Sequence, residues 1–75
     1  GVSVSPNPTN NTWNVSSTKG RISSVTVFDI LGKKVISLRP NTLSTAIDAS
    51  NLTSGIYITK ISTDLGSTTK KLIKH

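Results

Sequence analysis

Apolar and polar residues alternate at a period of two along most of the chain, and turn-forming residues interrupt this alternation at intervals typical of a sandwich or barrel. Successive side chains of a strand point to opposite faces, so each alternating stretch predicts a strand. Eight Ile and six Val stand against six Leu, two Ala and no Met. Their β-branched side chains suit a pleated surface better than a helix. The sequence therefore predicts an all-β fold.

Seven short strands are predicted, which together make a compact antiparallel β-sandwich. Val25–Ile30 is apolar on both faces, so we expect it to be central and covered on both sides. Gly32 supplies the positive φ of the tight hairpin that follows, and proline ends the first strand at Pro6-Asn7-Pro8 because it has no amide donor. The predicted strands are Val2–Ser5, Trp13–Ser16, Val25–Ile30, Lys33–Arg39, Thr45–Asp48, a sixth that begins at Ile56 and includes Ile61, and Thr68–Lys74.

The size of the chain limits how it can be stabilised. A domain of 75 residues buries only roughly 60% of the surface that its unfolded chain exposes. There is no cysteine for a disulfide, and no His or Cys pair for a structural zinc ion. We therefore expect the packing of the sheets to supply the stability unaided.

A net charge of +6 indicates that an anionic partner must be considered. Binders of single-stranded nucleic acid combine a basic groove with aromatic side chains on which bases stack. Here the aromatic residues are only Trp13, Tyr57 and Phe28, and we expect Phe28 to be buried. Lysine on an edge strand also has a simpler use, because it discourages aggregation. We therefore predict no nucleic-acid partner.

The polar residues do not form a pattern that predicts catalysis. The lone histidine is His75, the three Asp fall in separate segments, and no nucleophile has a partnering base. Asp48 and Asn51 are too few for a calcium site, and we interpret the Asp residues as turn caps. The prediction is a protein that is not an enzyme and has no metal, no cofactor and no small-molecule substrate.

Four landmarks occur in order along the chain. They are Pro6-Asn7-Pro8, VTVFDILGKKV (Val25 to Val35), NLTSGIYITKI (Asn51 to Ile61) and GSTTKKLIKH (Gly66 to His75). Each is common by itself, but together they make the chain resemble the type A C-terminal sorting domain of proteins exported by the type IX secretion system of Bacteroidetes. The resemblance spans nearly the whole chain.

The resemblance implies an immunoglobulin-like β-sandwich that acts as a non-catalytic secretion signal. Residues 1–75 would be a single sorting domain detached from a larger secreted parent. Its partners would be the type IX translocon, a covalently attached N-terminal cargo domain and a sortase-like cysteine protease that removes the domain and joins the cargo to an anionic lipopolysaccharide. The expected route leads through the periplasm to the outer membrane, the cell surface or the medium.

Specific residues match the motifs of this family. Pro6, Asn7 and Pro8 match its N-terminal signature, although Ser5 stands where an aromatic residue often precedes it, and Gly32 matches its hairpin glycine. We expect the translocon to recognise a hairpin over Gly55 to Lys74. The candidate recognition residues are Gly55, Tyr57, Lys60, Gly66, Lys70, Lys71, Leu72, Ile73 and Lys74.

The last predicted strand has a mixed pattern on both faces. Thr69, Lys71 and Ile73 share one face, and Lys70, Leu72 and Lys74 share the other. A pure core strand avoids such a pattern. Because a terminal strand has one free end and at most two neighbours, we expect it to be exposed, or recruited by strand addition, at a lower cost than an internal strand. The edge of such a strand could also support dimerisation or swapping, and the oligomeric state stays open.

An accessory module is the alternative function. A small sandwich of this kind could bind carbohydrate or protein on behalf of an attached enzyme. Such a module presents aromatic rings to sugars, and here only Trp13 and Tyr57 could serve.

Overall fold

The chain folds into seven strands without a helix, in a computed structural model that describes residues 1–75. No helix could therefore cross a membrane. The strands are β1 (Val2–Ser5), β2 (Thr12–Ser17), β3 (Ile22–Phe28), β4 (Lys34–Leu38), β5 (Ser44–Asp48), β6 (Gly55–Thr63) and β7 (Gly66–Lys74).

Two antiparallel sheets pack face to face. The smaller sheet has the order β1-β2-β5, and the larger has the order β4-β3-β6-β7. In an immunoglobulin constant-type domain the fourth strand lies in the sheet of the first, second and fifth strands. Here β4 lies instead beside β3, which leaves three strands on one side and four on the other. The predicted all-β, immunoglobulin-like sandwich of seven strands is confirmed.

The core between the sheets is small and consists of inward-facing residues from five strands together with Ala49. Trp13 is fully buried in this core, and its ring meets that of Tyr57 edge-on, with 6.1 Å between the ring centroids. The indole Nε1 of Trp13 is buried without a hydrogen-bond partner. The buried apolar residues are Trp13, Val15, Ile22, Val25, Val27, Ile47, Ala49, Tyr57, Ile61 and Leu72.

The hairpin between β3 and β4 begins earlier than the sequence predicted. The Oδ1 atom of Asp29 accepts hydrogen bonds from the backbone amides of Leu31 and Lys33, at 2.9 Å each. Gly32 has a φ of +85°, as expected for this turn. Because the turn starts at Asp29, the prediction of a strand through Ile30 was wrong, and the Ile30 side chain is 74% exposed.

β3 is central in its sheet, but only one of its faces is covered. Val25 and Val27 pack inward against the smaller sheet, whereas Phe28 lies on the outer face and is only half-buried. The expectation that both faces would be covered was wrong, because a sandwich of two layers packs only the inner face of each sheet.

The two ends of the chain lie at opposite ends of the sandwich. Gly1 contacts Thr18 and borders the same groove as Gly66. Lys74 pairs with Gly55 at the far end of the hairpin formed by β6 and β7. The molecule measures 31 Å along its longest axis.

Candidate recognition site

The predicted recognition region forms one continuous hairpin, Gly55–Lys74, which we call the C-terminal hairpin. Its strands pair in an unbroken antiparallel register from Gly55 with Lys74 to Thr63 with Gly66. A loop of two residues joins them, and the Thr63 hydroxyl accepts the Leu65 amide at 3.1 Å. The outer bounds of the hairpin, Gly55 and Lys74, are those predicted, whereas its second strand begins at Gly66 and not at the predicted Thr68. The last strand pairs along its full length with β6.

Tyr57 anchors the start of the C-terminal hairpin from inside the sandwich. Its ring is 6% exposed, and its hydroxyl donates a hydrogen bond of 2.5 Å to the carbonyl oxygen of Thr53. A tyrosine near the start of the sixth strand that bonds back to the backbone a few residues upstream is the tyrosine corner of immunoglobulin-like sandwiches. This contact gives the Gly55 and Tyr57 motif a structural role.

The C-terminal part of β7 belongs to the core, which its sequence did not suggest. Leu72 is fully buried and Lys74 is 8% exposed. The ammonium group of Lys74 donates a hydrogen bond of 3.0 Å to the carbonyl oxygen of Leu52, so the buried charge has a polar partner. The face with Lys70, Leu72 and Lys74 therefore points into the sandwich.

The segment Pro6–Thr9 covers the outer edge of this part of β7, and we call it the clamp. The side chain of Asn7 donates to the carbonyl oxygen of Lys71 at 2.9 Å and accepts the amide of Ile73 at 2.8 Å. The Thr9 amide donates to the carbonyl oxygen of Ile73 at 3.0 Å, and the His75 amide donates to the carbonyl oxygen of Thr9 at 2.8 Å. Asn7 and Thr9 together thus take the place of a neighbouring strand.

The clamp explains why the two prolines and the asparagine occur together. Pro6 and Pro8 lack amide donors, so neither can extend β1 along a ladder. Both follow cis peptide bonds. Asn7 lies between them and uses its side chain, which carries both a donor and an acceptor. Pro6, Asn7 and Pro8 were predicted as a structural motif, and the contacts of Asn7 show how it acts.

The candidate recognition residues differ in how accessible they are. Gly55, Lys60, Gly66 and Lys71 are exposed, Lys70 and Ile73 are half-buried, and Tyr57, Leu72 and Lys74 are buried. Gly55 and Gly66 lie at opposite ends of the C-terminal hairpin. Only the exposed and half-buried members can meet a partner directly while the domain is folded.

The carboxylates contact the backbone of turns and loops. Ser50 donates to Asp48 Oδ1 from both its hydroxyl, at 2.6 Å, and its amide, at 3.0 Å, and these bonds hold the pKa of Asp48 below its ordinary value of 3.8. Asp64 accepts the amide of Arg21 at 3.2 Å. No group of three or more His, Cys, Asp or Glu side chains could hold a metal ion. Turn capping is confirmed for Asp29 and Asp48. Asp64, in the turn of the C-terminal hairpin, instead accepts its hydrogen bond from Arg21, in the loop before β3.

The aromatic residues cannot form the sugar platform that the alternative function requires. Trp13 is fully buried and Tyr57 is 6% exposed. The prediction that these two rings could serve an accessory module was therefore wrong, because both fill the core.

These features define a small β-sandwich module whose final strand is clamped by the segment after its first strand. A model of the family described as the secretion system C-terminal sorting domain matches residues 3–75. The chain belongs to this family, the sorting domains of the type IX secretion system, as its four landmarks predicted. A search of the curated proteins found no match.

Membership of this family gives the function in outline. Its members are non-catalytic targeting tails that are attached to a cargo protein and interact with the type IX secretion system. The cargo is exported to the cell surface or to the outside of the cell.

Proposed function

We propose that the domain carries an N-terminally attached cargo from the periplasm through the outer membrane, and that the translocon recognises the C-terminal hairpin, Gly55–Lys74. The position of this hairpin supports the proposal most strongly. Its last residue lies at the end of the sandwich opposite Gly1, where the cargo would be joined. A translocon bound at the far end would therefore not collide with a folded cargo.

The hydrogen bonds of the clamp support the proposal that the translocon recognises a strand with one defined conformation. Asn7 and Thr9 donate two hydrogen bonds and accept two, and these four bonds hold Lys71, Ile73 and His75 in place. A preorganised segment loses less conformational entropy on binding than a frayed one. The basic end of the chain is thus offered as an ordered strand.

After export, a sortase-like cysteine protease removes the domain upstream of Val2 and joins the cargo to an anionic lipopolysaccharide. Gly1 is exposed at the edge of the sandwich. Cleavage before Val2 would release the sandwich with all seven strands, so the domain could leave without unfolding.

A secretion assay tests the proposal. A reporter that carries these 75 residues at its C-terminus should appear outside a type IX-competent cell and should be retained in a strain without the translocon. Removal of Lys70 to His75 should leave the fusion in the periplasm. Full secretion of the truncated fusion would overturn the role of the hairpin.

Truncation also removes the buried Leu72, so folding must be controlled for. The matched control is Val25→Ala, which weakens the core in β3 and leaves the C-terminal hairpin intact. If the Val25→Ala fusion is secreted and the truncated fusion is not, the defect of the truncated fusion comes from the loss of the recognition hairpin and not from the loss of stability.

A further inference from the structure

We propose that the outer face of the four-stranded sheet is the docking surface for the translocon, and that its partner is an acidic protein surface with an apolar centre. This inference rests on the proposed function and adds residues from β3 and β4 to the C-terminal hairpin. We call the surface the outer patch. It consists of Phe28, Ile56, Ile58 and Ile73, with Lys34, Lys60 and Lys71 around them.

The register of the sheet brings these residues together. Phe28 lies opposite Ile58, and Ile56 lies opposite Ile73, so two apolar pairs stand side by side on the outward face. Ile56 is 47% exposed and Ile58 is 37% exposed, while their neighbours Tyr57 and Thr59 point into the core. The alternation along β6 therefore places Ile56 and Ile58 on the surface, while their neighbours fill the core.

Lysine residues border the apolar pairs on both edges of the sheet. Lys34 in β4 lies opposite Phe28, and Lys71 in β7 lies opposite Ile58. One row across all four strands therefore reads Lys34, Phe28, Ile58, Lys71. Lys60 lies in the next row, between Thr26 and Thr69.

The turn between β3 and β4 enlarges the apolar area. Ile30 and Leu31 are 74% and 90% exposed, and they line a groove of about 390 Å³ together with Ile56. Asp29 also borders this groove, but its Oδ1 atom already accepts two amides of the turn. Exposed apolar groups that adjoin one another mark an interaction surface more often than scattered ones do.

The charges on this face indicate the chemistry of the partner. None of the three Asp residues lies in β3, β4, β6 or β7, so the strands of the outer patch carry three lysines and no carboxylate, and Asp29 borders only the adjoining groove. A second copy of the chain would place lysine against lysine, which is unfavourable. An apolar surface bordered by Asp or Glu would complement the patch in both charge and polarity.

A protein fits the outer patch better than a lipid surface does. Proteins that bind in the membrane interface use Trp and Tyr as anchors at headgroup depth. Here Trp13 and Tyr57 fill the core, and the outer patch has Phe28 alone, half-buried. A sheet face with half-exposed isoleucines and no aromatic anchor matches a protein partner that packs against it.

The test compares two double variants of the reporter fusion with two matched controls. Ile56→Thr with Ile58→Thr removes the apolar centre and keeps β-branched side chains, and Lys34→Glu with Lys71→Glu reverses the charge. The controls are Leu43→Thr, an exposed leucine outside the patch, and Lys19→Glu, a lysine near the cargo end. Thermal unfolding of each purified fusion checks that its domain is folded.

Binding to affinity-purified translocon in detergent is measured first, and then secretion. Each double variant should bind at least about tenfold more weakly than the unmodified fusion and be secreted less, while both controls behave as the unmodified fusion does. Patch variants that fold, bind and are secreted normally overturn the inference. A second outcome also overturns the inference. If the unmodified fusion binds vesicles that contain phosphatidylglycerol, and the patch variants lose this binding but still bind the translocon normally, the outer patch is a lipid-binding surface.

Failure of the proposed function would look different. In that case the unmodified fusion itself would not be secreted by the type IX-competent cell. Secretion of the unmodified fusion together with normal secretion of the folded patch variants leaves the proposed function in place and removes only the outer patch.

Discussion

The side chain of Asn7 bonds to β7 through the amide of Ile73, 66 positions further along the chain, and through the carbonyl oxygen of Lys71. The segment after the first strand thereby holds the last strand in place. This relationship joins two landmarks of the family, the Pro6-Asn7-Pro8 motif and the basic end, which the sequence shows as separate features.

Asn7→Ala should loosen the C-terminal end of β7. The variant loses two hydrogen bonds and should be destabilised by about 1–2 kcal/mol. Hydrogen exchange at the Ile73 amide should become faster, because that amide loses its acceptor. Asn10→Ala is the control, since Asn10 is exposed. An unchanged exchange rate at Ile73 in Asn7→Ala would contradict the role of the clamp.

Tyr57→Phe tests the tyrosine corner separately from the packing of the ring. Loss of the bond to the Thr53 carbonyl oxygen should cost about 1 kcal/mol, whereas Tyr57→Ala, which also removes the ring from beside Trp13, should cost roughly 3–5 kcal/mol. Urea denaturation measures both. Equal stability of Tyr57→Phe and the unmodified domain would show that the hydroxyl contributes nothing.

Lys74 and Lys71 should respond differently to the same substitution. Lys74→Met leaves the Leu52 carbonyl oxygen without its ammonium partner and should lower the free energy of unfolding by about 1 kcal/mol. Lys71→Met, at an exposed position, should change it by less than about 0.5 kcal/mol. Denaturation of the two variants side by side is the measurement. A larger effect at Lys71 than at Lys74 would mean that Lys74 is not held in the core.

The pKa of Asp48 predicts a small dependence of stability on acid pH. Hydrogen bonds from Ser50 lower this pKa in the folded state, so the unfolded state binds the proton more readily. The resulting stabilisation is present above pH 3.8 and is lost as the pH falls through the lower, folded pKa. Ser50→Ala should raise the pKa of Asp48 in an NMR titration of its carboxyl carbon. No rise would show that Ser50 does not cause the shift.

The sequence predicted the seven strands because their alternation depends on local residue order. It also predicted the C-terminal hairpin, since a short turn lies between two alternating runs, although the structure extends the second strand back to Gly66. The start of β3 was not predictable in this way. Its ladder with β6 shifts register between Ile22 and Ser24, so Ile22 and Val25 are both buried although they lie three positions apart. A bulge of this kind breaks the period of two.

The roles of individual site residues depended on contacts that sequence order does not contain. Lysine is usually found on the surface. Lys74 can be buried because its ammonium group bonds to the carbonyl oxygen of Leu52, which lies in a loop 22 positions earlier in the chain. The outer patch was also missed, because Phe28 and Ile58 come from different strands and meet only through their register. Alternation places Ile56 and Ile58 on one face of β6. That this face is exposed to solvent follows only from the burial of Tyr57 and Thr59 on the other face.

The opposite placement of Gly1 and His75 has a mechanical consequence. A force that pulls these two residues apart acts along β1, the edge strand of the smaller sheet, and along β7, the edge strand of the larger sheet on the same side of the sandwich. The hydrogen bonds that join each strand to its neighbour are then loaded together in shear, and they do not open one after another from an end. We therefore expect a higher unfolding force when the domain is pulled between Gly1 and His75 than when its strands are separated one hydrogen bond at a time.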